Sequence, residues 1–132
     1  MKKINKEPEE ELEIAIRKIK ISHEDNRRTL KEVFNGDFQA KQTIIYEAKI
    51  DSQVGGHYHE YDELWAVLQG RIDYTFINVD TQQNKSFSLK TGETVRIPKR
   101  THHVARIYQG TILLGFTEEK FVSEQANNKY LK

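Results

Sequence analysis

The sequence predicts an all-β domain of the sandwich or barrel class. Three observations lead there. Short runs of β character recur at intervals of roughly ten residues, turn-forming residues separate them, and no clear helix lies among them. The 132 residues fit one domain with a real core. Hydrophobic residues make up 36% and charged residues 31%, which suits a compact β domain with a wet surface.

Taken in order, residues 1–11 are charged, with Pro8 and the run Glu9-Glu10-Glu11, and predict a frayed arm or a short helical start. Ile14/Ile16 and Ile19/Ile21 alternate in pairs, but Lys18 falls where a strand wants an apolar residue. Strand and amphipathic helix both fit residues 14–21, and the alternation favours the strand. Residues 1–24 are therefore read as an arm that carries an edge or swapped strand, residues 25–120 as the β domain, and residues 121–132 as a polar tail. Within the domain, residues 42–50 place Ile44, Tyr46 and Ala48 on one face. Residues 64–68 form a short apolar run ending at Gly70, and residues 71–79 put Ile72, Tyr74 and Phe76 on one side. After the polar turn at 80–85 come strands at 86–89 and 94–97, separated by Thr91-Gly92 and closed by Pro98. Strands at 102–108 and 111–117 flank the Gln109-Gly110 turn. Residues 118–132 read as a short helix or a loose end.

Composition narrows the function. Lysine plus arginine total 21 against 20 acidic residues, so no sustained basic field invites nucleic acid or a membrane. There is no cysteine, so disulfides are impossible and any metal site must use His, Asp and Glu. Apolar runs such as Ile112-Leu113-Leu114 are too short to cross a bilayer, and the first residues carry no apolar signal stretch. A soluble, cytoplasmic protein is expected. No serine sits in a recognisable nucleophile turn, which argues against a Ser/His/Asp hydrolase.

The chemistry concentrates in His57-Tyr58-His59-Glu60-Tyr61-Asp62-Glu63 and, further on, His103. Side chains alternate along a strand, so His57 and His59 share a face, with about 7 Å of backbone between them. Glu63 follows a short bend and can swing a carboxylate toward the same point, while His103 comes from a neighbouring strand. Three imidazoles and one carboxylate suit one divalent transition ion, Fe, Mn, Ni, Cu or Zn, and leave positions open for catalysis. His23 and His102 are expected to be ordinary surface or hydrogen-bonded histidines, with His102 facing away from His103.

The spacing His57-x-His59-x-x-x-Glu63-x-x-x-x-x-x-Gly70, then Gly92-x-x-x-x-x-Pro98 and His103, resembles the two motifs of the cupin superfamily. The resemblance spans residues 40–117 and implies a double-stranded β-helix, or jelly-roll barrel, with its metal near the open end. Three positions depart from the pattern: Asp51 and Arg100 stand where glycines are expected, and Ile107 where an Asn is expected. None is a ligand. In phase with Glu63, Trp65 is expected to line the barrel with Tyr46 and Tyr74, stacking on a sugar or, more simply, packing. Arg96 and Arg106 fit either a substrate phosphate or a solvated strand edge.

A second likeness lies upstream. Asp25-Asn26-Arg27-Arg28-Thr29-Leu30-Lys31-Glu32-Val33-Phe34 is similar to the D-x-R-G-x-x-x-E-x-F stretch of sugar-nucleotide cupins. These include dTDP-4-dehydrorhamnose 3,5-epimerases, dTDP-sugar ketoisomerases and the cupin module of capsular-polysaccharide reductases. The epimerases carry an arginine three residues before the catalytic histidine, where this chain has Val54. They also carry a tyrosine after the last core strand, where this chain has Glu118, Glu119, Lys120 and Phe121. A rhamnose-type epimerase is therefore not expected, because two-sided proton transfer lacks its second partner. The resemblance implies a metal-binding cupin acting on a small polar substrate, a sugar or sugar nucleotide, as an isomerase or epimerase. An Fe(II) dioxygenase and a non-catalytic carbohydrate-binding or sensor cupin are the alternatives. A homodimer is expected by the same resemblance.

Overall fold

A computed structural model describes residues 14–132. In chain order these residues form β1 (Ala15–Lys18), β2 (Lys20–Glu24), β3 (Thr29–Glu32), β4 (Gln42–Glu47), β5 (Ser52–His57), β6 (Glu63–Gln69) and β7 (Arg71–Asn78). Then come β8 (Asn84–Lys90), β9 (Glu93–Ile97), β10 (Thr101–Ile107), β11 (Ile112–Thr117) and the short helix α1 (Glu124–Asn127). One antiparallel sheet has the order β1-β9-β6-β11-β4, and a second has the order β5-β10-β7-β8. They pack face to face as a jelly-roll sandwich, the all-β architecture expected.

Period-two alternation builds the core. In β7, Ile72, Tyr74 and Phe76 are buried, and in β10, His103, Ala105 and Ile107 share the inner face with Thr101. Val67, Val95, Ile97 and Leu113 come from the opposite sheet to meet Ile72, Phe76, Leu89 and Ile107. Each such side chain contributes about 1.5–3 kcal/mol by leaving water. His103 thus projects from a strand whose other inward residues are locked in the core, which fixes its direction.

One expectation changes. Residues 14–21 are not one strand: the chain breaks at Ile19, whose N–H donates to the Gly92 carbonyl at 2.8 Å. Among the described residues β1 then forms the edge of the five-stranded sheet, while β2 pairs only with β3 in a separate hairpin. Lys18, the residue that interrupted the alternation, ends β1. Of the two readings of the tail the structure has the short helix, α1, and adds an antiparallel bridge between Tyr58 and Lys129. The charged stretch 1–11 lies outside the described residues. Following β3, Phe34 packs edge-on against Phe116 at 4.9 Å, and buried Phe38 lies under the Arg96 guanidinium at 5.0 Å. No helix among the described residues is long and apolar enough to cross a membrane.

Candidate functional site

His57 ends β5 directly opposite His103 of β10, and the register slips between His103 and Val104. The slip depends on Gly55, which has φ +84°; a Cβ there would stand 2.6 Å from the His103 carbonyl oxygen. Only glycine tolerates both the backbone angle and the approach. The resulting bend turns the His57 ring toward His103 and His59, with ring centroids 4.7 Å away in each case. One nitrogen from each of the three histidines lies within 4.8 Å of the other two.

Glu63 opens β6 and is buried. Its Oε1 accepts from Trp65 Nε1 at 3.2 Å. Its Oε2 lies 3.4 Å from His59 Nε2 and 3.6 Å from His103 Nε2, and has no hydrogen-bond partner among the described residues. The other nitrogen of each of these rings faces a carbonyl: His59 Nδ1 donates to Asn127 O at 2.7 Å, and His103 Nδ1 to Thr101 O at 3.3 Å. Carbonyls only accept, so both Nδ1 atoms carry hydrogen and both Nε2 atoms present lone pairs. Two lone pairs and one orphaned carboxylate oxygen converge in a buried space. Such a group of acceptors calls for a proton or a cation between them.

The electrostatics agree. Burial, with repulsion from His103 and His59, lowers His57 to about 4. Burial, reinforced by His59, lowers His103 to about 4. Both rings are neutral at pH 7, the state a metal ligand requires. Burial pushes the Glu63 carboxyl up, opposed by His59 and by the Trp65 hydrogen bond. The three histidine nitrogens therefore fit a divalent transition ion, with Glu63 Oε2 beside two of them, and the ion's charge would hold Glu63 ionised.

Beside the cluster a cavity of about 170 Å³ runs between the sheets, with His57, Glu63 and His103 at its polar end and Tyr46, Trp65 and Tyr74 among its walls. Trp65 lies against Gly115, where a Cβ would come within 2.5 Å of the indole ring. Tyr74 is buried, and burial together with the Glu63 charge raises its phenol. The three aromatic residues expected in the lining are thus together. Arg96 is not. It lies on the outer face of the five-stranded sheet, bound to Asp62 at 3.0 Å and to the Asp37 carbonyl at 3.0 Å, with Glu118 at 3.6 Å. Strand alternation decides this, because Val95 and Ile97 take the inner face of β9. His102 stands outside the histidine cluster, on the other face of β10 from His103.

The positions that departed from the motif each have a structural use. Asp51 accepts from the Gln109 N–H at 2.7 Å, and Ile107 is fully buried. Arg100 adopts φ 58°, a left-handed conformation that glycine takes easily, and its side chain bridges Asp80 and Glu60. Two residues at the site escaped the sequence reading. Tyr61 stacks on His59 at 4.7 Å, and Asn127 reaches it from the tail. Only Ser123, a residue type suited to capping a helix, hinted at order there.

Residues 46–109 match the Cupin_2 family, described as a cupin domain. Residues 46–109 therefore carry the cupin domain. No curated protein matches it in sequence. Among solved structures, this cupin is similar to a 3,4-ketoisomerase from Helicobacter canadensis, with TM-score 0.73 and 21% identity over 86% of this chain and 89% of the other. It is also similar to a sugar 3,4-ketoisomerase from Thermoanaerobacterium thermosaccharolyticum in complex with TDP, with TM-score 0.71 and 17% identity over 87% and 85%. A third similar structure is the dTDP-4-dehydrorhamnose 3,5-epimerase of Bacillus anthracis with TDP and PPi bound, with TM-score 0.71 and 16% identity over 84% and 75%. At these identities the likeness establishes the shared fold.

Proposed function

We propose that this cupin is a metal-dependent isomerase of a keto-sugar, presented as a sugar nucleotide, with the ion held by His57, His59, His103 and Glu63. The observation that carries the reading is the buried, unpartnered Glu63 Oε2 facing the Nε2 atoms of His59 and His103 at 3.4 and 3.6 Å. When bound, the ion supplies a Lewis acid for a substrate carbonyl, which makes the proton on the adjacent carbon easier to remove. The chain's own residues do the rest. Apolar walls exclude water, and Trp65 offers a flat face for a sugar ring. Tyr74 keeps its proton at neutral pH and donates a hydrogen bond from its hydroxyl to a substrate oxygen. In this reading Tyr46, on β4 and in the cavity wall, carries the proton to and from carbon. These two phenols lie in the cavity wall, not beyond the last core strand where the epimerases carry their tyrosine.

Cavity size supports a small reacting group. About 170 Å³ is close to the ~150 Å³ cavity that accepts benzene. In this reading the sugar end enters the cavity and the nucleotide stays outside it. The similar structures with TDP, or TDP and PPi, support this choice of substrate class.

A metal-free reading is favoured by one feature: the Glu63–His59 pair at 3.4 Å could share a proton with no ion present. Both readings meet in one experiment. Metal content is measured on protein purified without added metal. Deuterium uptake from D2O into TDP-4-keto-6-deoxyglucose, the ligand of one similar ketoisomerase, is then followed by NMR before and after chelation. The proposal expects about one equivalent of transition metal and uptake that chelation abolishes. Uptake that survives chelation selects the metal-free reading, and absence of both metal and uptake overturns the isomerase.

We also propose that the protein pairs as a homodimer. The β2–β3 hairpin supports it, because it joins no other strand among the described residues and exposes Ile21 (51%) and Leu30 (42%). A lone two-stranded hairpin is marginal in water.

A further inference from the structure

We propose that residues 118–130 form a strap that completes the site, and that Asn127 is the positioning residue for His59. The inference rests on His59 belonging to the site proposed above. It begins from the hydrogen bond between His59 Nδ1 and the Asn127 main-chain carbonyl, 2.7 Å long and buried. That bond is made 68 positions away in sequence, by a segment outside both strand layers. It sets the hydrogen on Nδ1 and leaves Nε2 to face Glu63.

A carbonyl can do this only if its segment is held still, and the Asn127 side chain does the holding. Asn127 is 7% exposed. Its Oδ1 accepts from the N–H groups of Val122 and Ser123 at 2.8 and 3.1 Å. Its Nδ2 donates to the Lys120 carbonyl at 3.1 Å and to the Tyr61 hydroxyl at 3.2 Å. All four polar contacts of one side chain thus go to the strap or to the ring that stacks on His59.

The strap is fastened at both ends. Before Asn127, Glu118 Oε1 accepts from the Asp62 N–H at 2.7 Å. After it, Tyr58 and Lys129 exchange two main-chain hydrogen bonds of 2.8 and 2.9 Å. These attachments fall at residues 58 and 62, on either side of His59. In between, the Ser123 hydroxyl accepts from the Ala126 N–H at 3.0 Å and shapes the single turn that aims the Asn127 carbonyl inward. His57 and His103 gain their direction from strands, whereas His59 gains its direction from the tail.

The test reads the His59 tautomer in metal-free protein by long-range 1H–15N NMR, beside Co2+ affinity and thermal stability. The parent is expected to show His59 with hydrogen on Nδ1. Asn127→Ala should move a large fraction of His59 to the Nε2–H form and weaken Co2+ binding by about 10-fold or more, the usual penalty for losing a ligand's outer partner. Leu131→Ala, an exposed position beyond the strap, should leave both unchanged. A purely structural tail would lower the melting temperature of Asn127→Ala without moving the tautomer, and that result overturns the inference. Should Asn127→Ala fail to fold, Tyr61→Phe removes one acceptor while keeping the stacked ring, and a partial shift of the tautomer is expected in its place. A shifted tautomer with no Co2+ binding by the parent would leave Asn127 as the positioning residue and remove the metal from the proposed function.

Discussion

At the scale of single residues, electrostatic partners can be separated by the pH at which they act. Asp73 accepts hydrogen bonds from Arg71, Ser88 and Tyr108. These donors, Arg71 first, hold its carboxyl down at about 2 against an ordinary value of 3.8. A depressed carboxyl stabilises the fold above the unfolded value and loses that contribution as pH falls from about 4 through about 2. The group is partly solvated, so the contribution is discounted to about 1 kcal/mol. Asp73→Asn is expected to be less stable than the parent at pH 6 and nearly equal to it at pH 2, measured by urea unfolding. At the site, His57→Ala combined with His59→Ala should reduce bound metal to background while circular dichroism stays β-rich. His102→Ala should bind as the parent does. Metal retained by the double variant would show that the ligands are assigned to the wrong residues.

At the scale of elements, the pairing of β6 with β11 sets the cavity wall. Gly115 lies opposite Trp65, and its missing Cβ makes room for the indole. A strand glycine costs stability unless a neighbour needs the space, and here the neighbour is the largest side chain of the lining. Gly115→Ala is expected to destabilise by about 1–3 kcal/mol through overpacking. Trp65 is the single tryptophan, so its fluorescence should shift at the same time. An unchanged spectrum with unchanged stability would mean that the wall yields without cost. The same strands explain Arg96. One step along β9 exchanges inner face for outer, and the outer carboxylates and Phe38 take the guanidinium.

At the scale of the whole molecule, the sandwich closes its core without help from β2 and β3. Their hairpin is the part that a second copy would stabilise. The protein is expected to sediment as a dimer at micromolar concentration, and the double variant Ile21→Lys with Leu30→Lys as a monomer with the β signal intact. A parent that stays monomeric at all concentrations, or a double variant that stays dimeric, removes the hairpin from the interface.

Alternation along strands is a local rule, and whatever depended on it could be read from residue order. The inward faces of β7 and β10, the inward place of His103 and the shared wall of Tyr46, Trp65 and Tyr74 follow from a period of two together with the cupin spacing, whereas His59 lies beyond the end of β5 and meets His57 through the bend at Gly55 and the grip of the tail. The break at Ile19, the engagement of Arg96, the use of Gly115 and the grip of Asn127 on His59 depended on segments far apart in the chain. Residue order carries no local signal for such meetings. Whether a polar tail frays or straps a histidine is decided by the partners that folding brings within hydrogen-bond distance.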